Sequence, residues 1–278
     1  MLRLICDKPQ SLKEFTENNY AQASFFWSYL LRNKEIRVNG KKTATDLFLL
    51  AGDTVEYYLT QKQADKPAFY PVYEDENFLI VDKESGVNSE AVFAALSREG
   101  EAYFIHRLDR NTKGLLAFAK TQAGETALLN AFKTRAVEKI YLALLVGELP
   151  QKTGVLTAYL KKDEGRATVK VASFPKSGYD KIVTEYETLS FDREKGLTKA
   201  AITLHTGKTH QIRAHFAHIG NPVLGDMKYG DERANKRFSL ARQQLVAKKL
   251  RFSLTGEFAY LNEKIFYSRF GVDLTMEE

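Results

Sequence analysis

The order of predicted strands and helices constrains the fold of this chain more than any other feature. Strands follow one another closely, with few regular strand–helix–strand units between them, which argues against a doubly wound parallel sheet. We therefore expect an α+β fold, with a mixed, largely antiparallel sheet and flanking helices. The predicted strands are residues 54–59, 72–75, 78–82, 102–106, 115–119, 139–146, 181–189 and 200–205. The predicted helices are residues 24–35, 89–98, about 122–135 and 209–219.

A polar stretch, Gln61–Lys66, leads into Pro67 and is typical of a linker. With 278 residues, the chain is long enough for two unequal domains. We therefore predict a small domain over residues 1–62 and a larger domain over residues 69–278.

Composition narrows the possible partners. The formal net charge is +6, a modest basic excess that suits a polyanion without proving one. The chain has one cysteine, Cys6, so a disulfide framework and a cysteine-rich zinc site are excluded. No apolar run approaches the ~20 residues needed to span a bilayer. An early acid and proline argue against a signal peptide, so we expect a cytoplasmic protein with no membrane partner.

The small domain carries a basic helix-and-turn pattern. A predicted helix leads into Ile36–Val38, and Asn39-Gly40 then predicts a tight hairpin turn, because both residues can take a positive φ. This order, closed by the strand near Thr54, resembles the alpha-L RNA-binding domain. We predict that its basic residues contact RNA; they are Arg32, Lys34, Arg37, Lys41 and Lys42.

Three segments of the larger domain carry the residues suited to chemistry. The first, His106–Leu116 (HRLDRNTKGLL), lies between two predicted strands, so a loop displays Asp109. The second, Glu138–Ala143 (EKIYLA), places Tyr141 in a strand of aliphatic residues. The third, Gly207–His215 (GKTHQIRAH), opens a helix that carries Arg213, and the sequence continues to Gly220–Asp226 (GNPVLGD).

These three segments, in this order, resemble the RluA-type RNA pseudouridine synthase family, and the resemblance covers about residues 72–252. It implies that Asp109 is the catalytic aspartate and that Tyr141 stacks near the target base. It also implies that Arg213 pairs with the aspartate and that Arg107 helps to displace the base from the RNA. One departure is Thr112-Lys113-Gly114, where the family usually has Thr-Ser-Gly.

The chemistry of the residues agrees with this resemblance. Pseudouridine formation breaks the bond between N1 and C1′, turns the base and rejoins it through C5. No atom enters or leaves, so the reaction needs neither cofactor nor metal, but it needs a carboxylate as nucleophile or base. An arginine partner keeps that carboxylate ionised, and an aromatic ring and a cation offset the cost of flipping the base.

The resemblance implies an RNA partner, with large-subunit ribosomal RNA favoured and transfer RNA left open. We expect a monomer. A basic stretch between Arg233 and Arg251 has no acid and predicts a further RNA-docking surface. In addition to the basic residues of the small domain, we predict that four residues of the larger domain contact RNA: Arg107, Lys208, Lys248 and Lys249.

Two alternatives compete with this interpretation. Four histidines, His205, His210, His215 and His218, lie close in sequence, but no HExxH pattern occurs and no third ligand is evident, so we expect no metal site. The second alternative is a non-catalytic RNA-binding or ribosome-assembly factor with the same fold.

We further expect residues 1–62 to supply RNA affinity without helping to form the active site.

Overall fold

The computed structural model of the chain describes residues 1–163 and 168–272. The chain forms two compact units. The N-terminal unit comprises residues 1–110 and 116–122, and the C-terminal unit comprises, of the described residues, 111–115, 123–163 and 168–272. Residues of both predicted domains therefore belong to the N-terminal unit, and the domain boundary near residue 62 stays a prediction.

The N-terminal unit begins with short strands and helices. They are β1 (Leu2–Ile5), β2 (Gln10–Ser11), α1 (Leu12–Asn19), α2 (Ala21–Phe25), α3 (Trp27–Arg32), β3 (Ile36–Val38), β4 (Lys41–Thr43), β5 (Phe48–Leu49), β6 (Thr54–Tyr57) and α4 (Gln61–Ala64). It continues with β7 (Phe69–Glu74), β8 (Phe78–Lys83), α5 (Ser89–Glu99), β9 (Tyr103–Phe104) and most of β10 (Lys113–Ala119).

The first 60 residues form an antiparallel sheet in the order β1-β6-β3-β4, with a core of its own. Phe15, Leu30, Ile36 and Tyr57 are all buried in that core. The hairpin predicted at Asn39-Gly40 is confirmed, since both residues have a positive φ, 49° and 76°.

Two predictions in this region differ from the structure. The helix predicted over residues 24–35 is broken at Phe26, which has φ −107° and ψ 18° and separates α2 from α3. The break lets Phe26 and Trp27 both pack against the core. The predicted linker begins with α4, because Thr60 and Gln63 form a reciprocal capping box.

The hairpin predicted between residues 72 and 82 is confirmed as β7 and β8. Asp75 closes its turn, since one carboxylate oxygen accepts hydrogen bonds from the amides of Asn77 and Phe78, at 2.8 and 2.7 Å. All six residues of β8 are buried: the apolar run from Phe78 to Val81, and the polar residues Asp82 and Lys83 that follow it. Strand β9 pairs antiparallel with the end of β10, at Phe104 and Phe118.

The C-terminal unit contains the larger sheet. Its elements are α6 (Gln122–Thr134), β11 (Val137–Val146), β12 (Thr153–Asp163), β13 (Thr168–Ala172), β14 (Asp180–Asp192), β15 (Leu197–Leu204), α7 (Gln211–His218), α8 (Glu232–Arg237), β16 (Leu245–Phe252), a 3-10 helix (Gly256–Glu263) and β17 (Ile265–Tyr267). The strand order is β13-β12-β14-β15-β11-β16-β10, with β17 also beside β16.

The pairs between these described strands are antiparallel, apart from β10 and β16, which run parallel. The predicted α+β class with a mixed, largely antiparallel sheet is therefore confirmed. Strand β16 lies within the sheet, although its sequence had been interpreted only as a basic surface. Within the described residues, no helix is long and apolar enough to cross a membrane.

Candidate active site

The candidate catalytic residue Asp109 lies on the loop between β9 and β10, and its neighbours in sequence are held in place. On one side, the Ser89 hydroxyl accepts a hydrogen bond from the Leu108 amide at 2.9 Å and donates one to the Leu108 carbonyl at 3.1 Å. On the other side, the Arg110 carbonyl accepts a hydrogen bond from the Gly86 amide at 2.9 Å. Asp109 itself is half-buried between these two fixed residues.

A buried lysine supports the same loop. The ammonium group of Lys83 donates to the carbonyls of Glu84, Val87 and Arg110, at 2.9, 2.8 and 3.1 Å. Burial lowers the pKa of Lys83 to about 7, and the negative charge of Asp109 is the main influence that opposes this fall. Three carbonyl acceptors match the three donors of a protonated amine, so they favour the charged form. Lys83 therefore ties the segment after β8 to the residue that follows Asp109.

Two neighbouring side chains complete the N-terminal part of this loop. Arg107 is exposed and forms a salt bridge with Glu90 in the first turn of α5, at 3.1 Å. The second carboxylate oxygen of Glu90 is buried and has no hydrogen-bond partner among the described residues. Nε2 of His106 accepts a hydrogen bond from the Ala117 amide at 3.0 Å. Arg107 thus carries an exposed guanidinium on the same loop as Asp109, and its salt bridge to Glu90 connects it to α5.

In the C-terminal unit, Tyr141 lies at an irregularity of strand β11. The register with β16 shifts between Ile140, which faces Lys249, and Tyr141, which faces Ala247. A bulge of this kind bends a strand and re-aims its side chains, and bulges are common beside active sites. Tyr141 is half-buried and packs against a core cluster that includes Phe216.

The residues after Asp109 are held by backbone pairing. Lys113 and Gly114 pair in parallel with Val246 and Ala247 of β16. Gly114 has φ +116°, and a Cβ atom on it would lie 2.4 Å from the Ala247 carbonyl oxygen, so only glycine fits. Ala247 therefore contacts the motif glycine and also faces Tyr141 across the sheet.

Thr112 is held by a side chain from the segment before β16. Its buried hydroxyl accepts a hydrogen bond from Nε2 of Gln243 at 2.6 Å. Together with the pairing of Lys113 and Gly114, this bond fixes residues 112–114 against the β16 segment.

Arg213 forms a buried ion pair within the C-terminal unit. Its Nε and one terminal nitrogen donate to the two carboxylate oxygens of Asp226, at 2.7 and 2.9 Å. Burial alone would raise the pKa of Asp226, but the hydrogen bond and charge of Arg213, with the amides of Lys228 and Tyr229, outweigh burial and lower it. The Arg213 guanidinium also lies 5.3 Å from the centre of the Tyr229 ring. Arg213 is thus a fixed, charged group.

This role of Asp226 was not predicted from the sequence, although the residue ends the stretch that continues the third segment. The pairing of Arg213 with Asp109 stays a prediction.

The comparison with known families decides what these motifs belong to. The model of the RNA pseudouridylate synthase family matches residues 63–218, more than half of the chain. The chain belongs to this family. The match includes all three segments, His106–Leu116, Glu138–Ala143 and Gly207–His215, and it ends before the continuation at Gly220–Asp226.

Individual relatives agree with this assignment. The synthase is 30% identical over 252 residues to the ribosomal large subunit pseudouridine synthase C of Vibrio vulnificus, and the match covers 81% of this chain and 78% of that protein. An uncharacterized RNA pseudouridine synthase of Mycoplasma capricolum is 28% identical, and the match covers 93% of each chain. The solved structure of human RNA Pseudouridylate Synthase Domain Containing 1 superposes with a TM-score of 0.58 at 27% identity, over 67% of this chain and 79% of that one.

The predicted RNA contacts of the N-terminal residues surround the β3–β4 hairpin. Arg32, Lys34, Lys41 and Lys42 are exposed there. The guanidinium of Arg37 instead lies 4.8 Å from the centre of the Tyr58 ring and is partly covered. This surface of the synthase is thus basic and open to solvent.

The predicted RNA contacts of the C-terminal unit are bound within the chain itself. Lys208 forms a salt bridge with Asp180 at 2.8 Å. The ammonium of Lys248 donates to two backbone carbonyls, those of Ser268 and Phe270, and Lys249 pairs with Glu138 at 2.9 Å. An RNA phosphate would have to compete with these contacts, so the role of the three lysines in binding stays a prediction.

The four clustered histidines of the synthase each contact a different residue. The partners are Glu185 for His205, Tyr229 for His210, Thr184 for His215 and Ser173 for His218. In the part of the chain that the structure describes, no three histidine, cysteine or acidic side chains are grouped to hold a metal ion.

Proposed function

We propose that Asp109 is the catalytic carboxylate of this pseudouridine synthase. The observation that carries the proposal is the fixation of both its neighbours: Ser89 holds Leu108, and Lys83 holds the Arg110 carbonyl. A carboxylate between two anchored residues can be held near a reacting atom without rearranging, which lowers the entropic cost of the reaction.

In the proposed reaction, the Asp109 carboxylate acts as nucleophile or base while the bond between N1 and C1′ breaks. The base turns and rejoins the sugar through C5; C5 then gives up its proton and N1 takes one up, so the reaction neither gains nor loses an atom. Tyr141 is proposed as the aromatic platform for the flipped base, and Arg107 as the cation that takes part in its displacement. Arg213 supplies a fixed positive charge, for which Asp226 is the structural support.

We propose large-subunit ribosomal RNA as the substrate, since the Vibrio vulnificus relative is named a ribosomal large subunit pseudouridine synthase. Residues 1–62, with their exposed basic hairpin, are proposed to form an alpha-L-type RNA-binding domain beside a catalytic domain over residues 69–278. The synthase is proposed to act in the cytoplasm as a monomer. Mapping of pseudouridine in total RNA, from cells with and without the gene, identifies the substrate. Loss of a site in transfer RNA alone would exclude the ribosomal assignment.

The catalytic assignment is tested by Asp109→Asn. The amide keeps the shape of the side chain and removes the nucleophile or base, so we expect a folded protein with no detectable conversion of uridine in the identified RNA. Asp65→Asn is a matched control, since Asp65 is an exposed carboxylate at the end of α4. Substantial turnover by Asp109→Asn would eliminate the proposed role.

A further inference from the structure

We infer that Glu17 is a positioning residue for the loop that carries Asp109, so that helix α1 is part of the catalytic architecture. This inference rests on the proposed catalytic role of Asp109. It concerns the N-terminal unit alone, which contains both α1 and residues up to Arg110. It replaces the expectation that residues 1–62 contribute affinity without supporting the active site.

The side chain of Arg110 connects α1 to the loop. Its Nε donates to the Gly86 carbonyl at 3.1 Å, and its two terminal nitrogens donate to Glu17 at 2.5 Å and to the Ser24 hydroxyl at 3.2 Å. The Arg110 carbonyl is already bound by Lys83. Residue 110 is therefore held at its backbone by Lys83 and at its side chain by α1 and the residues that follow it.

The last turn of α1 also lies against helix α5. Asn18 accepts a hydrogen bond from Asn88, the residue that precedes α5, at 2.9 Å. The Asn19 carbonyl accepts one from Arg98, near the other end of α5, at 3.1 Å. Because α5 begins with Ser89, which holds Leu108, the docking of α1 reaches Asp109 from both sides: through α5 to Leu108, and through Glu17 to Arg110.

The charge of Glu17 has a second consequence for Asp109. Arg110 is the next residue after Asp109, and Glu17 provides the carboxylate that its guanidinium binds. Without Glu17, the nearest anionic competitor in sequence is the Asp109 carboxylate itself. Loss of Glu17 therefore releases a cation directly beside the proposed catalytic carboxylate, and we expect the released guanidinium to disturb the position of that carboxylate.

The pair between Glu17 and Arg110 suits positioning better than stabilisation. The side chains are 17% and 37% exposed, so water screens their attraction and the pair contributes little to folding. To fix the orientation of the Arg110 side chain, in contrast, the pair needs only to make other orientations of that side chain less favourable. Loss of Glu17 is therefore expected to change turnover more than stability.

The test is Glu17→Gln in the full-length protein, assayed on the RNA identified by mapping. We expect kcat to fall about tenfold, with KM and melting temperature nearly unchanged. Glu14→Gln is the matched control, because Glu14 lies on the same helix and is exposed. In an Arg110→Met background, Glu17→Gln should have no further effect, since the two residues act through one contact.

Hydrogen exchange provides a readout that does not depend on turnover. Amides of residues 105–112 should exchange faster in Glu17→Gln than in the wild type and in Glu14→Gln. Unchanged exchange and kcat would overturn the inference. A rise in KM alone would also overturn it, because it would show that Glu17 contributes only to RNA affinity. A kcat loss that follows a lower melting temperature would show a merely structural role. A wild type that modifies no RNA would instead refute the proposed function, and the exchange data would still decide whether Glu17 positions the loop.

Discussion

The residues before and after Asp109 are held by different kinds of interaction. Before and just after it, within the N-terminal unit, side chains bind the backbone: Ser89 holds Leu108 and Lys83 holds Arg110. Further on, within the C-terminal unit, Gly114 is held by strand pairing with β16. The two backbones lie so close there that a side chain at position 114 would not fit. The first arrangement depends on hydrogen bonds that substitution can weaken by degrees. The second depends on excluded volume, so even the smallest side chain at position 114 is expected to displace the backbone.

The largest effect is expected at Gly114, where the two kinds of support differ most. Gly114→Ala would place its Cβ 2.4 Å from the Ala247 carbonyl oxygen, and because both partners are backbone, a strand must move. We expect a loss of at least about 3 kcal/mol in the free energy of unfolding, or no folded protein. Urea unfolding and the yield of soluble protein measure it.

Gly40→Ala separates collision from backbone strain. Gly40 also has a positive φ, 76°, but a Cβ there meets nothing within 4 Å. Its substitution should cost only about 1–2 kcal/mol. Equal losses at both positions would show that φ, and not the approach of β16, explains Gly114.

The next effect is expected at Lys83, the charged support of the N-terminal unit. Lys83→Met keeps most of the side-chain volume but leaves three carbonyls without their donor. We expect a loss of about 3 kcal/mol in the free energy of unfolding, together with reduced turnover because the Arg110 carbonyl is released. Denaturant unfolding and steady-state kinetics test the two parts.

Lys62→Met is the control, since Lys62 is exposed on α4 and should tolerate the change within about 0.5 kcal/mol. If Lys83→Met retained full stability and turnover, the side-chain support described for residues 108–110 would not hold the loop.

Sequence patterns could predict the parts of this architecture that depend on local chemistry. The Asn39-Gly40 turn, the β7–β8 hairpin and helix α5 are confirmed close to their predicted positions. Each is encoded by turn residues or by apolar periodicity within a few residues.

The supports of the candidate site could not be found in this way. Glu17 lies 93 residues from Arg110, and Lys83 lies 27 residues from it, so no local pattern links them. Strand β16 was missed for another reason. Its lysines drew attention to charge, whereas its buried residues Leu245–Ala247, Leu250 and Phe252 carried the signal of a strand in the sheet.

The smallest of these effects is expected from pH, and it sharpens the contrast between charged and uncharged support. His215 in the C-terminal unit is buried and bonded to Thr184 at 3.0 Å, and burial lowers its pKa to about 4, assisted by the charge of His218. The unfolded chain binds a proton at His215 near pH 6.5, and the folded chain does so only near pH 4. Stability therefore falls as the pH drops between these values, by about 2 kcal/mol between pH 6.5 and 5. Urea unfolding across this range measures it.

His215→Gln is the decisive variant, because glutamine can keep a hydrogen bond to Thr184 but does not titrate. It should flatten the decline in stability between pH 6.5 and 5. Lys83 adds little to that decline, since its unfolded pKa is higher still and its folded pKa of about 7 lies above this range, so it is mostly protonated in both states. The acid sensitivity should therefore originate in the C-terminal unit, while the lysine support of the Asp109 loop persists. A decline of equal slope in wild type and His215→Gln would place the responsible group elsewhere and remove the contrast.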